Sequence, residues 1–152
     1  MKFILSSELG KLSKWLRILN YDTYYFKGRD RALALKALQD GRIILTKKKD
    51  VFKEPDIKIV VLNQEKLLEQ IRELKNLLDL TIDIDNLFLR CTRCNAETVV
   101  VDKKNVKGKV PLYVYQKQKE FYRCSLCGKI FWPGTHRDLA GDYLSKIEND
   151  NC

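Results

Sequence analysis

Two pairs of cysteines and a run of three lysines are the residues whose spacing suggests chemistry. Cys91-Thr-Arg-Cys94 and Cys124-Ser-Leu-Cys127 are C-x-x-C pairs separated by 29 residues. A two-residue spacer lets both thiolates of a pair reach one metal ion, and two such pairs make a four-thiolate set. Such a set leaves no open coordination position, so zinc held there is expected to be structural rather than catalytic. Gly128 follows the second pair, where a knuckle's backbone often needs a glycine. Disulfides are the competing pairing, but they belong to oxidising compartments and nothing in the chain indicates secretion. A redox C-x-x-C is disfavoured by the matched second pair and by the lack of a strand-to-helix thioredoxin context. The odd cysteine, Cys152, is expected to be a free thiol in the terminal tail. His136 is expected to pack or hydrogen-bond at the start of a final helix (137–147) rather than to bind metal.

Lysines 47, 48 and 49 follow the apolar run Arg42-Ile-Ile-Leu-Thr46, and Lys11, Lys14 and Arg17 recur at three-residue steps. A run of cations is often a solvated face; the alternative is phosphate contact. The charge balance supports phosphate. Lys and Arg number 29 against 20 Asp and Glu, a net charge of +9. Residues 1–53 carry 13 basic and 5 acidic residues, 54–90 carry 5 and 8, and 91–152 carry 11 and 7, giving +8, −3 and +4. Excess positive charge in two separated regions suits a polyanion binder, because each phosphate contact releases counterions.

The elements that must position these residues show in the hydrophobic pattern. Lys2–Leu5 fits a buried strand, and Leu9, Leu12, Leu16 and Leu19 form a helical stripe that Ser6 or Ser7 would cap. Residues 23–26 read as a strand. A helix begins at Asp30 as N-cap and stops at Gly41. Residues 42–46 and 57–62 read as strands, and Asn63 is placed to cap a helix through Leu78. The order β-α-β-α-β-β-α implies a largely parallel sheet with its chemistry at the carboxyl ends of the strands. From residue 91 the texture changes to cysteine pairs and short β-like runs at 97–102, 113–115 and 120–123, the strands that frame a zinc ribbon. The expected domains are 1–86 and 87–152.

At 45% hydrophobic and 32% charged residues, with mean hydropathy −0.35, the chain can bury a core and does not resemble a membrane protein. The start, Met-Lys-Phe-Ile-Leu-Ser, has too short an apolar run for a signal peptide, so a cytoplasmic location is expected.

Several strings resemble one family in order: Met1–Leu5, Leu9-Gly-Lys-Leu-Ser-Lys-Trp-Leu-Arg-Ile-Leu19, Tyr21-Asp-Thr23, Gly41–Thr46, the two C-x-x-C pairs, and Trp132-Pro-Gly-Thr-His136. Together they resemble the Mut-seven C-terminal ribonuclease domain family from residue 1 to about 140. The resemblance implies an α/β, PIN-like parallel-sheet domain followed by a small zinc ribbon and a C-terminal helix. It also implies RNA hydrolysis with Mg²⁺ or Mn²⁺ held by clustered carboxylates, since divalent ions bind hard oxygens and lower the pKa of a bound water.

The family's first carboxylate follows strand one, where this chain has Ser6; another follows strand three, where this chain has Lys48. Of the matching acids, Asp30 and Asp22 are kept. Glu8 and Asp50 each lie two residues past a missing acid. Two residues turn a helical side chain by about 200°, so Glu8 is expected to point away and Asp50, in a loop, to compensate better. The candidate catalytic set is therefore Asp22, Asp30 and Asp50, with Lys11, Lys14, Arg17, Lys47, Lys48 and Lys49 as RNA contacts. The expected function is RNA binding by a family member whose activity is weak or lost. The alternatives are a metal-dependent ribonuclease with a shifted acidic cluster, and a protein-interaction module.

Overall fold

The computed structural model describes residues 1–50 and 54–149; side chains 135, 136, 148 and 149 lie outside the description. The expectations for His136 and Cys152 therefore fall outside the described groups. Chain contacts divide the protein into two units: Met1–Arg17 with Tyr21–Thr81, and Ile18–Asn20 with Ile82 onward.

The first unit is a parallel sheet with helices. Its strands are β1 (Lys2–Leu5), β2 (Asp22–Tyr25), β3 (Ile43–Thr46) and β4 (Ile59–Val61), in the order β2-β1-β3-β4, every neighbour parallel. Between them run a 3₁₀ turn (Ser7–Leu9), α1 (Gly10–Ile18) and α2 (Asp30–Asp40), and α3 (Leu67–Leu78) follows β4. Strand β1 is central, so its apolar run Phe3-Ile4-Leu5 is completely buried, as a parallel strand covered on both faces must be. Ile4 and Ile44 pack with Leu33 and Ala37 of α2, while Leu12 and Leu16 of α1 and Ile71 and Leu74 of α3 are buried. Gly41 ends α2 in the left-handed region (φ 61°) and Arg42 N–H bonds back to the Ala37 carbonyl at 2.8 Å, the stop expected of a C′ glycine.

The chain leaves β1 for β2 on one side and returns to β3 on the other. The connections therefore part at the carboxyl ends of β1 and β3, the crevice where open α/β sheets bind ligands.

Three caps differ from expectation. Asp30 is the first residue of α2, with Arg29 at the cap, which leaves the Asp30 carboxylate for other contacts. Helix α3 starts four residues after Asn63, whose amides bond the Glu73 carboxylate instead. Ser6 precedes a 3₁₀ turn, not α1, and its hydroxyl caps no backbone N–H.

The second unit holds an antiparallel sheet, β5 (Thr98–Val101), β6 (Phe121–Cys124) and β7 (Ile130–Phe131), in that order, then α5 (Gly134–Asn149). The strand expected at 113–115 is a helix, α4 (Leu112–Lys117). Pro111 caps it, the Tyr115 N–H bonds the Pro111 carbonyl at 3.0 Å, and Val114 turns inward. Val106, Val114 and Phe121 form the core there, so burial of Val114 outweighed the β preference of Tyr-Val-Tyr.

Candidate functional site

The cysteines meet as expected. The thiols of Cys91, Cys94, Cys124 and Cys127 lie within 4.8 Å of one another. Cys91 and Cys127 sulfurs are 3.8 Å apart, and those of Cys94 and Cys124 are 3.2 Å apart. Tetrahedral zinc with bonds of about 2.3 Å sets its sulfurs roughly 3.8 Å apart, so the donor set fits zinc. Each pair closes on a left-handed residue: Gly128 (φ 70°) after the second, as expected, and Asn95 (φ 66°) after the first. Asn95 N–H bonds the Cys91 carbonyl, and Gly128 N–H bonds the Cys124 carbonyl. Burial pushes the Cys124 thiol up. The N–H groups of Cys127 and Leu126, each 3.4 Å from its sulfur, and the Cys94 thiol outweigh this and bring it down, while burial pushes the neighbouring Cys91 thiol up. Thiolate-favouring N–H donors at a knuckle are what a metal ligand needs. Among the described residues, no other group of three or more Cys, His, Asp or Glu is placed to share one metal ion.

The second centre lies in the β1/β3 crevice. Ser6 is extended (φ −68°, ψ 164°), and the 3₁₀ turn after it brings the Glu8 carboxylate back over the strand ends. Glu8 Oε1 accepts from the Ser6 hydroxyl at 2.6 Å, the Thr46 hydroxyl at 2.9 Å and the Lys47 N–H at 3.1 Å. Burial raises its pKa, but these donors and its own backbone N–H more than reverse that and hold the carboxylate down to about 2. Glu8 is therefore ionised and points into the crevice, opposite to expectation. The 200° rule counts from a helical residue, and Ser6 is not helical.

Thr46 Oγ1 accepts from the Lys48 N–H at 3.2 Å, and Lys48 Nζ lies 2.8 and 3.1 Å from the two Asp30 oxygens. Asp30 holds the Lys48 ammonium above its ordinary pKa, against slight burial, and the Glu8 charge adds to the effect. Ser6, Asp30 and Lys48 thus share the carboxyl edge of the sheet, as the sequence suggested.

The other candidates are placed differently. Asp22 opens β2 beside Lys2, at the amino edge. Its carboxylate takes both terminal nitrogens of Arg42, at 2.7 and 3.4 Å, while Arg42 also donates to the Phe3 carbonyl and to Asp40. Asp22 therefore does not meet Asp30. Asp50 is exposed on the loop after β3. Arg17 is buried, and its Nε donates to the Thr23 carbonyl at 2.9 Å, so it braces β2 rather than facing solvent. Lys11 and Lys14 are exposed on α1, as is Lys49 beyond β3. Lys47 is ion-paired with Glu65. Among the described residues, then, Asp30 is paired with an ammonium, Asp22 lies at the other edge of the sheet, and Glu8 Oε1 takes three donors. Sequence reasoning weighed Glu8 and turned it away from the site; no local signal marked the 3₁₀ turn that brings its carboxylate back.

Comparison with known families matches residues 1–143 to the Mut7-C RNAse domain. The chain belongs to the Mut7-C RNAse domain family. The match spans both units, the sheet with its crevice and the cysteine cluster. No curated protein and no solved structure matches the chain significantly. Among the described residues, no helix of this family member is long and apolar enough to cross a membrane.

Proposed function

We propose that this chain is an RNA-binding member of its family, PIN-like in its parallel-sheet unit, whose metal-dependent hydrolysis is weak or lost. The observation that carries this is the Lys48 ammonium lying 2.8 and 3.1 Å from both oxygens of Asp30. An internal cation fixed on the retained acid repels a divalent ion and satisfies the carboxylate that would bind it. Family membership and the +8 charge of residues 1–53 support RNA as the partner. Lys49 is exposed, and the surface ion pair of Lys47 with Glu65 is weak enough for phosphate to compete. The thiolate cluster supports a structural zinc ribbon. The protein's location is proposed to be cytoplasmic.

A second function, hydrolysis through a shifted acidic cluster with Mg²⁺ or Mn²⁺, is favoured by one feature. The Ser6, Thr46 and Lys47 donors all fall on Oε1, which keeps an ionised carboxylate at the crevice without using Oε2 for these bonds.

One experiment separates the two. Labelled single-stranded RNA is titrated with the protein at low salt and incubated with Mn²⁺ or Mg²⁺. Binding without cleavage is expected, together with cleavage gained in Ser6→Asp/Lys48→Asp. Efficient cleavage by the wild type, lost in Asp30→Asn, supports the nuclease instead. Failure to bind RNA at low salt defeats both and leaves a protein-interaction module.

A further inference from the structure

The ribbon sheet carries an insertion, residues 103–119, between β5 and β6. It contains six lysines and no acid. It is also ordered: a 3₁₀ turn (Lys103–Val106) and α4 pin it to the sheet through Val106 and Val114 against Phe121. Lys107 (φ −57°, ψ 129°) and Gly108 (φ 76°) are the middle of a turn closed by the Lys109 N–H on the Val106 carbonyl at 3.0 Å. These are the dihedrals of a type II turn, which needs glycine at its third position. The turn projects Lys107 and Lys109 into solvent; they and Lys104 are exposed and form no ion pair among the described residues.

Two large side chains on α4 are exposed rather than buried: Leu112 at 70% and Tyr113 at 65%. Lysines that serve solubility alone are normally interleaved with acids and leave aromatics inside. A cationic segment with a bare aromatic ring is instead the combination that grips a flexible polyanion with accessible bases. The cations hold phosphates and the ring stacks on a base, which duplex geometry would deny it.

We propose that residues 103–119 are a contact site for single-stranded RNA, with Lys104, Lys107 and Lys109 on phosphates and Tyr113 stacked on a base. Taking RNA as the partner rests on the function proposed above for the chain. The same lysines with Leu112 would also suit an anionic lipid surface. Family membership and the flat, exposed Tyr113 ring favour RNA.

The test uses the full-length protein, a fluorescent 20-nucleotide oligouridylate and a 4-thiouridine version for crosslinking. Lys104→Ala/Lys107→Ala/Lys109→Ala should flatten the log–log salt dependence of binding by about 2, at roughly 0.7 per single-strand phosphate contact. Tyr113→Ala should weaken binding about fivefold or more, and Tyr113→Phe should not. Crosslinks should map within 103–119. All these positions are exposed, and zinc content with circular dichroism confirms folding of each variant. Unchanged affinity and slope in the ribbon variants, with Lys47, Lys48 and Lys49 still required, would overturn this site while leaving RNA binding by the protein intact. No binding by the wild type overturns both. Capture by phosphatidylserine vesicles that depends on Lys104, Lys107 and Lys109, without crosslinks in 103–119, would replace RNA with a lipid surface and overturn the proposal.

Discussion

Replacing Glu8 with glutamine tests the crevice directly. The carboxylate is held at about 2 against an ordinary 4.5. That difference of about 2.5 units corresponds to a ceiling of roughly 3.4 kcal/mol at 1.36 kcal/mol per unit. Glu8 is exposed to solvent, which screens the interaction, so we expect about 1–2 kcal/mol. The sign follows from linkage. A depressed carboxylate pKa stabilises the fold fully above the unfolded value, near 4.5, and the contribution is lost as pH falls through about 2. Wild type should exceed Glu8→Gln by the full amount at pH 6, and by pH 3 roughly half or more of that difference should be gone. Urea unfolding followed by Trp15 fluorescence in a Trp132→Phe background reads the parallel-sheet unit without the acid response of the cysteine cluster. A ¹³C carboxyl titration of Glu8 gives the pKa itself. A difference that is flat from pH 6 to pH 3, or a Glu8 titration near 4.5, refutes the network of Ser6, Thr46 and Lys47 around Oε1.

Other outcomes follow from the same geometry. One zinc per chain should co-purify, and strong chelation should raise hydrogen exchange across residues 88–135 while the β1–β4 sheet stays protected; elemental analysis without zinc would end that assignment. Arg42→Ala removes bonds to Asp22, Asp40 and the Phe3 carbonyl at a mostly buried position. It should cost about 2–4 kcal/mol in urea unfolding and leave RNA affinity unchanged; an RNA-binding defect at retained stability would instead place Asp22 and Arg42 in the RNA site. Alanine at Lys47, Lys48 and Lys49 should weaken RNA binding and flatten its salt slope by up to about 2, measured by anisotropy from 50 to 300 mM salt.

The amino-acid sequence by itself determined whatever depends on short spacings. Each C-x-x-C pair specifies its own knuckle, because two intervening residues hold both thiols near one point whatever surrounds them. The thiol cluster of Cys91, Cys94, Cys124 and Cys127 was therefore legible. Runs such as Phe3-Ile4-Leu5 and Ile43-Ile44-Leu45 marked buried parallel strands, and Gly41 marked a helix stop, since backbone sterics and burial act within a few residues. The tertiary structure decided which charges meet. Asp30 and Lys48 are 18 residues apart, and Asp22 and Arg42 are 20 apart; parallel register sends the first pair to the carboxyl edge and the second to the amino edge. No local pattern encodes that separation. Arg17 reads as one step of a basic helical row, and only the packing of α1 shows that it is buried on β2. Glu8 was misplaced for the same reason: its direction depends on a 3₁₀ turn whose shape is set by what it meets across the sheet, the Thr46 hydroxyl and the Lys47 N–H. Tyr113 and its neighbours became a helix because Val114 found Phe121 and Val106, a contact between segments that only the folded ribbon brings together.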